Sequence, residues 1–387
     1  MDINELLQKA HVLEASDLHI KVGSPPILRI YGELTPLTSE KKLSHEDAMD
    51  IASAVMTPGQ SDIFKKKNDI DLAYSVPGLG RFRCSIFMQR GTVGIVFRVI
   101  PTRIPTIDEL LLPEVIKKIT MEQRGLILVT GTTGSGKSTT LASMIDMINS
   151  NRTEHIITIE DPIEYLHRDK KSIINQREIG TDTESFGKAL RQSLRQDPDV
   201  ILVGEMRDFE TIQTSLVASE TGHLVLSTLH TIDATETVNR IITVFPPYQH
   251  KQVRLQLASV LRAIISMRLM PRADGRGRVP AVEVLIATAM IKDCIVDPDK
   301  TKMIPDVIEQ SAIHYSMQTF DQSLLNLYKS GLITYEEALR RATNPDDFVL
   351  KVKGIQSTSD LSIEEQLSFR PEKPNKKDEM NIDRFGR

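Results

Sequence analysis

Apolar and polar positions recur in two rhythms along this chain, and the change from one to the other divides it. In the first hundred residues, Ile3 to Leu13 has the spacing of an amphipathic helix, and Leu18-His19-Ile20-Lys21-Val22 alternates like a strand. Pro25-Pro26 interrupts the chain before a second strand, Ile27–Tyr31, which Gly32 ends. Helical spacing returns over His45–Met56, and three further strands are predicted at Asp71–Val76, Gly80–Gln89 and Val93–Ile100. Helices and strands without a strand–helix–strand rhythm predict an α+β unit on an antiparallel sheet, residues 1–100. Pro101-Thr102-Arg103-Ile104-Pro105 reads as a short stiff linker, 101–105. From 106 to 285, buried-strand runs alternate with helical patterns, which predicts a parallel α/β sheet. Residues 286–352 read as mostly helical. The remainder, 353–387, turns polar and charged with Pro371 and Pro374, a composition that predicts disorder.

Composition narrows the class. A chain of 387 residues can hold two or three separate cores. The apolar share of 40% and charged share of 26% are those of a globular protein. A net charge of −4 supplies no overall basic field for nucleic acid, though a local basic channel stays compatible with it. Trp is absent and aromatics are 5%, so no base-stacking surface is signalled. Cys84 and Cys294 are the only cysteines, too few for a disulfide framework or a four-cysteine zinc site. The first residues lack the apolar core of an export signal, and no apolar run reaches the length of a membrane span. A cytoplasmic protein is expected.

The chemistry is concentrated in the second unit. Gly131-Thr132-Thr133-Gly134-Ser135-Gly136-Lys137-Ser138, followed by Thr139, is a complete phosphate-binding loop. It stands between an apolar β-prone run, Gly125–Thr130, and a helically spaced one, Thr139–Ile148. That context supplies backbone N–H groups and a helix amino end to a triphosphate. Lys137 is placed to reach the β- and γ-phosphates and the Ser138 hydroxyl to sit on Mg²⁺. Further along, Ile157-Thr158-Ile159 runs into Glu160, Asp161 and Glu164, acids at the end of a strand in the ligand crevice of an open sheet. Such a carboxylate can orient attacking water or take its proton, or can be a solvated strand end. Asp199–Val203 delivers Glu205, where a Walker-B strand usually carries Asp, as a carboxylate for Mg²⁺ through water. His223 and His230 bracket the run Leu224–Leu229, and His230 at its far end is positioned either to sense a γ-phosphate or to serve the structure. Seven arginines (Arg81, Arg83, Arg98, Arg191, Arg195, Arg207 and Arg240) are candidates for stabilising transferred phosphate charge, some from a neighbouring subunit.

The order ASDLH (15–19), GRFR (80–83), GTTGSGKST (131–139), TIEDPIE (158–164), VGEMRD (203–208), TGHLVLSTLHT (221–231) and LRAIIS (261–266) resembles the secretion-type hexameric ATPases, specifically the PilT/PilU branch that retracts type IV pili in twitching motility. The resemblance spans about residues 1–350. It implies a PAS-like small domain, a RecA-like P-loop ATPase domain with a helical C-terminal region, ATP and Mg²⁺, and a homohexamer. It further implies Glu164 as general base, Glu205 as the Walker-B carboxylate and His230 as γ-phosphate sensor. Arg83 and Arg98 match small-domain arginines that close onto nucleotide. Implied partners are an inner-membrane pilus platform protein and a paralogous retraction ATPase. The retraction branch typically has a helix close to AIRNLIRE where this chain has Met290–Asp297, and Met317–Leu324 with Ile333–Leu339 looks like the PilU side. Two other readings stay open here: a nucleotide-gated accessory subunit with little turnover of its own, and a nucleic-acid translocase built on a RecA-like ring.

Overall fold

The structure, a computed structural model, describes residues 2–353 apart from 31 and 102. The tail from 354 onward, for which the sequence predicts disorder, lies outside the described residues.

The N-terminal unit runs α1 (Ile3–Val12), β1 (Asp17–Lys21), β2 (Ile27–Ile30), β3 (Glu33–Pro36), α2 (His45–Val55), α3 (Pro58–Lys67), β4 (Asp69–Val76), β5 (Gly80–Gln89) and β6 (Thr92–Val99). The strands form one antiparallel sheet in the order β3-β2-β1-β6-β5-β4. Alternation sends Leu18, Ile20, Phe82, Cys84, Ile86, Ile95 and Phe97 to one face, where they pack with Leu7 of α1 and Ile51 of α2. The opposite face carries a register row of Arg83, Arg98, Asp17 and Arg29. Two elements lie outside the pattern-based expectation. β3 is exposed at all four positions, so no alternation marks it. α3 buries only Phe64, but its start was written in the sequence: Thr57 and Gln60 form a capping box around Pro58.

The second unit is a mixed seven-stranded sheet, β13-β12-β7-β11-β10-β8-β9. Its strands are β7 (Gly125–Thr130), β8 (His155–Glu160), β9 (Ile173–Glu178), β10 (Val200–Val203), β11 (Leu224–Leu229), β12 (Leu261–Pro271) and β13 (Arg278–Ile286). Six run parallel; β13 returns antiparallel to β12. Every residue of β7 and β11 is buried, as expected when helices cover both faces. On one face lie α4 (Val115–Thr120) and α5 (Lys137–Asn151). On the other lie α6 (Phe186–Ser193), α7 (Phe209–Glu220), α8 (Ala234–Thr243), α9 (His250–Val260), α10 (Ala289–Val296) and α11 (Ile304–Gln310). After α12 (Ala312–Tyr315), helices α13 (Phe320–Lys329), α14 (Tyr335–Arg341) and α15 (Pro345–Val352) gather around Phe320, Leu324 and Phe348 against the outer ends of β12 and β13. Both cysteines are buried and free. Among the described residues no helix is long and apolar enough to cross a membrane.

Candidate nucleotide site

The parallel strands end together at one edge of the sheet, and the loops leaving β7, β8, β10 and β11 meet there around a cavity of about 500 Å³. Such strand ends are the usual place for a ligand in an open α/β sheet.

The loop after β7 turns at Gly131, whose φ is +142° and where an added Cβ would lie 2.5 Å from the Met267 carbonyl oxygen. It enters α5 through Gly136 at φ +99°. Only glycine holds both positions without strain or collision. The loop closes on Lys137, whose Nζ donates to the carbonyls of Gly131 and Thr132 at 2.8 and 3.0 Å. The side chain is almost wholly buried. Burial lowers the lysine pKa, and the Glu205 and Glu164 carboxylates act against that fall. Ser138 and Thr139 line the cavity one and two residues on, and Thr139 Oγ1 meets the Tyr165 hydroxyl at 3.0 Å.

The three acids at and just beyond the end of β8 all reach the cavity wall, and they differ in setting. Glu160 is half-buried; its Oε1 accepts from Thr158 Oγ1 at 2.6 Å and Gln176 Nε2 at 3.2 Å, and desolvation raises its pKa. It is bound into the scaffold. Asp161 and Glu164 are exposed, and Glu164 sits in the loop 161–167. The same cavity is bordered by His167, whose pKa burial lowers to about 4, so its imidazole is neutral near pH 7.

Strand β10 ends at Val203 and, past Gly204, presents Glu205. Its Oε1 lies 2.6 Å from Arg207 Nε and 3.2 Å from His230 Nε2, which projects from the end of β11. The carboxylate raises the Arg207 pKa through that hydrogen bond. The two strands are tied by side chains as well as by their ladder: Ser227 Oγ donates to the Val203 carbonyl and Thr228 Oγ1 to that of Gly204, both at 2.7 Å. His223, at the other end of β11, has Nδ1 2.9 Å from the Ala218 carbonyl at the end of α7, away from the cavity.

Lys137, Ser138, Glu164, Glu205 and His230 thus come together. Arg83 and Arg98 do not line this cavity. They are register partners on β5 and β6, with Arg98 Nε 2.9 Å from Asp17 Oδ1 on the open face of the small sheet. Arg191 is paired with Glu210, and Arg195 and Arg240 are exposed away from the cavity. The guanidiniums on the cavity wall are Arg207, one of the seven picked out from sequence, and Arg278, which was not. Arg278 opens β13, and its Nη1 lies 3.5 Å from the Gly134 carbonyl. Nothing local to its sequence signals that placement, which depends on β13 folding back along β12. The donor set suits Mg²⁺: one hydroxyl and one carboxylate, both hard oxygen ligands, beside a phosphate-binding loop. Among the described residues no three His, Cys, Asp or Glu side chains cluster to hold an ion unaided. A metal held by that set would need phosphate oxygens and water to complete its coordination.

The family described as Type II/IV secretion system protein matches residues 1–302. The type IV pilus ATPase PilU of Pseudomonas aeruginosa is 43% identical over 361 residues, covering 93% of this chain and 94% of that protein. The pilus retraction ATPase PilT of the same organism is 44% identical over 348 residues, 90% of this chain and 100% of that one. The crystal structure of the pilus retraction motor PilT with bound ADP superposes with a TM-score of 0.82 at 46% identity, over 90% of this chain and 98% of that one. Identities of 43% and 44% do not separate a PilU-like chain from a PilT-like one.

Proposed function

Since this chain belongs to the Type II/IV secretion system protein family, and within it to the type IV pilus retraction ATPases, we propose that it hydrolyses ATP as a ring-forming motor that withdraws a pilus. The observation carrying this reading is the meeting of Lys137, Ser138, Glu164, Glu205 and His230 around one cavity of about 500 Å³. Loop amides and the α5 amino end cradle the phosphates, and the buried Lys137 ammonium exchanges loop carbonyls for phosphate oxygens. Ser138 and Glu205 would hold Mg²⁺, which would supply positive charge against the phosphates. Glu164, exposed on a loop at the cavity wall, orients water and takes its proton. His230 reads the γ-phosphate and passes its presence to Glu205, its 3.2 Å neighbour. Arg207 and Arg278 supply positive charge from within the subunit. Arg83 and Arg98, on the open face of the small sheet, supply it to the next subunit of a homohexamer.

In this reading the small domain is PAS-like and the large one RecA-like. The motor works at the cytoplasmic face of the inner membrane, against a platform protein. We place it beside a paralogous retraction ATPase, because α10 departs from the retraction-branch helix sequence.

Glu164→Gln tests the chemistry. It should lower kcat by roughly 10²- to 10⁴-fold while ADP affinity stays within about threefold. Undiminished turnover in that variant would remove Glu164 from the mechanism.

A further inference from the structure

The loop that carries Glu164 is held by side chains of a single strand. On β9, Gln176 and Glu178 are two residues apart and face the same way. The Gln176 amide donates to the Tyr165 carbonyl and accepts from the His167 N–H, each at 2.9 Å. Glu178 Oε2 accepts the Ile163 N–H at 3.2 Å. The clamped positions are 163, 165 and 167, so Glu164 stands between two fixed neighbours.

The same Glu178 oxygen accepts from Arg81 Nη2 at 3.1 Å. Arg81 lies on β5 of the small domain, 97 residues away in sequence. The side chains are 19% and 9% exposed, so solvent and salt screen the pair little. Glu178 is itself held in place: its N–H donates to Asp182 Oδ2 at 2.8 Å, and Thr181 Oγ1 donates to its Oε1 at 3.4 Å. One carboxylate oxygen therefore joins a small-domain guanidinium to the backbone of the residue before Glu164. A displacement of the small domain that draws Arg81 away removes the cation paired with this carboxylate and leaves the neutral Ile163 N–H and Thr181 hydroxyl to hold it, so the Ile163 N–H loses its aligned acceptor.

We propose that Glu178 is a positioning residue that transmits the seating of the small domain, through Arg81, to the loop bearing Glu164, so that a subunit activates water only when its own two domains are docked. This rests on the reading of Glu164 as the base. It adds a contact inside each subunit to whatever neighbouring subunits contribute.

The test uses the full-length assembled protein with MgATP. Arg81→Gln and the isosteric Glu178→Gln should each lower kcat about 10- to 100-fold with KM changed less than about threefold. Glu178→Ala, which also removes the Ile163 acceptor, should fall further. Arg81→Lys, which keeps a cation in place, should stay within about threefold of wild type. Hydrogen exchange of the peptide spanning 163–167, measured without nucleotide, should quicken at least about fivefold in Arg81→Gln. Unchanged exchange or unchanged kcat in Arg81→Gln overturns the coupling, as does an Arg81→Lys variant that behaves like Arg81→Gln. Full activity in Glu164→Gln instead overturns the base assignment, and the exchange result then reports on the domain contact alone.

Discussion

Replacing Glu283 by Gln should stabilise the protein above pH 7 and leave it nearly unchanged near pH 5. Glu283 lies on β13 opposite Ser266 and is 6% exposed. Its Oε1 accepts from the Ala234 N–H at the start of α8 at 2.8 Å and from Ser266 Oγ at 3.3 Å. Burial pushes its pKa from 4.5 up to about 7, against the pull of the Ala234 hydrogen bond. Between those two values the folded protein holds a proton that the unfolded chain releases. The group's favourable share of stability is therefore complete below pH 4.5 and is lost as pH climbs to 7. At about 1.4 kcal/mol per pH unit, that loss comes to roughly 3 kcal/mol. Gln keeps the size and an acceptor oxygen but never ionises. The stability difference between Glu283→Gln and wild type should thus grow by about 2–3 kcal/mol from pH 5 to pH 8. The chain has no Trp, so urea unfolding is followed by circular dichroism across that range. Parallel pH profiles for the two proteins, or a variant that loses ground as pH rises, would refute the argument.

Other consequences follow from the phosphate loop. Lys137→Ala removes the ammonium now bonded to two loop carbonyls and should weaken ATP binding by about 10- to 100-fold, the worth of a charge-assisted bond to phosphate; calorimetric titration checks this. Gly131→Ala sets a Cβ 2.5 Å from the Met267 oxygen at φ +142° and should cost about 3 kcal/mol or more, read as a lowered thermal midpoint.

The sequence disclosed those parts of the site whose geometry is local. The strand, loop and helix around Lys137 are contiguous, so spacing and glycine content sufficed, and the observed elements Gly125–Thr130 and Lys137–Asn151 bracket the loop as expected. Glu205 and His230 were legible because each ends an apolar run that could only be a buried strand. β9 was missed because Asn175, Gln176, Arg177 and Glu178 are polar, as suits an edge strand with no second neighbour. With it went Glu178, whose meaning depends on Arg81 in another domain. Arg278 is a similar case, carried to the cavity by an antiparallel return along β12 that no periodicity announces. The resemblance linked Arg83 and Arg98 to nucleotide, yet one folded chain keeps them on the open face of its small sheet, since a strand can direct them only to the face opposite Phe82, Cys84 and Phe97.

The two hydroxyl staples between β10 and β11 restrict how such a machine can move. Ser227 and Thr228 lock the ends of these strands to each other beyond what the ladder requires, and Glu205 and His230 project from those same ends. The pair is built like the fixed jaw of a vice, its two residues held on strand ends that are bonded to each other. In the proposed motor, opening and closing of the site would then fall to the loop 161–167 and whatever presses on it, a displacement around Glu205 and His230 in place of a separation between them.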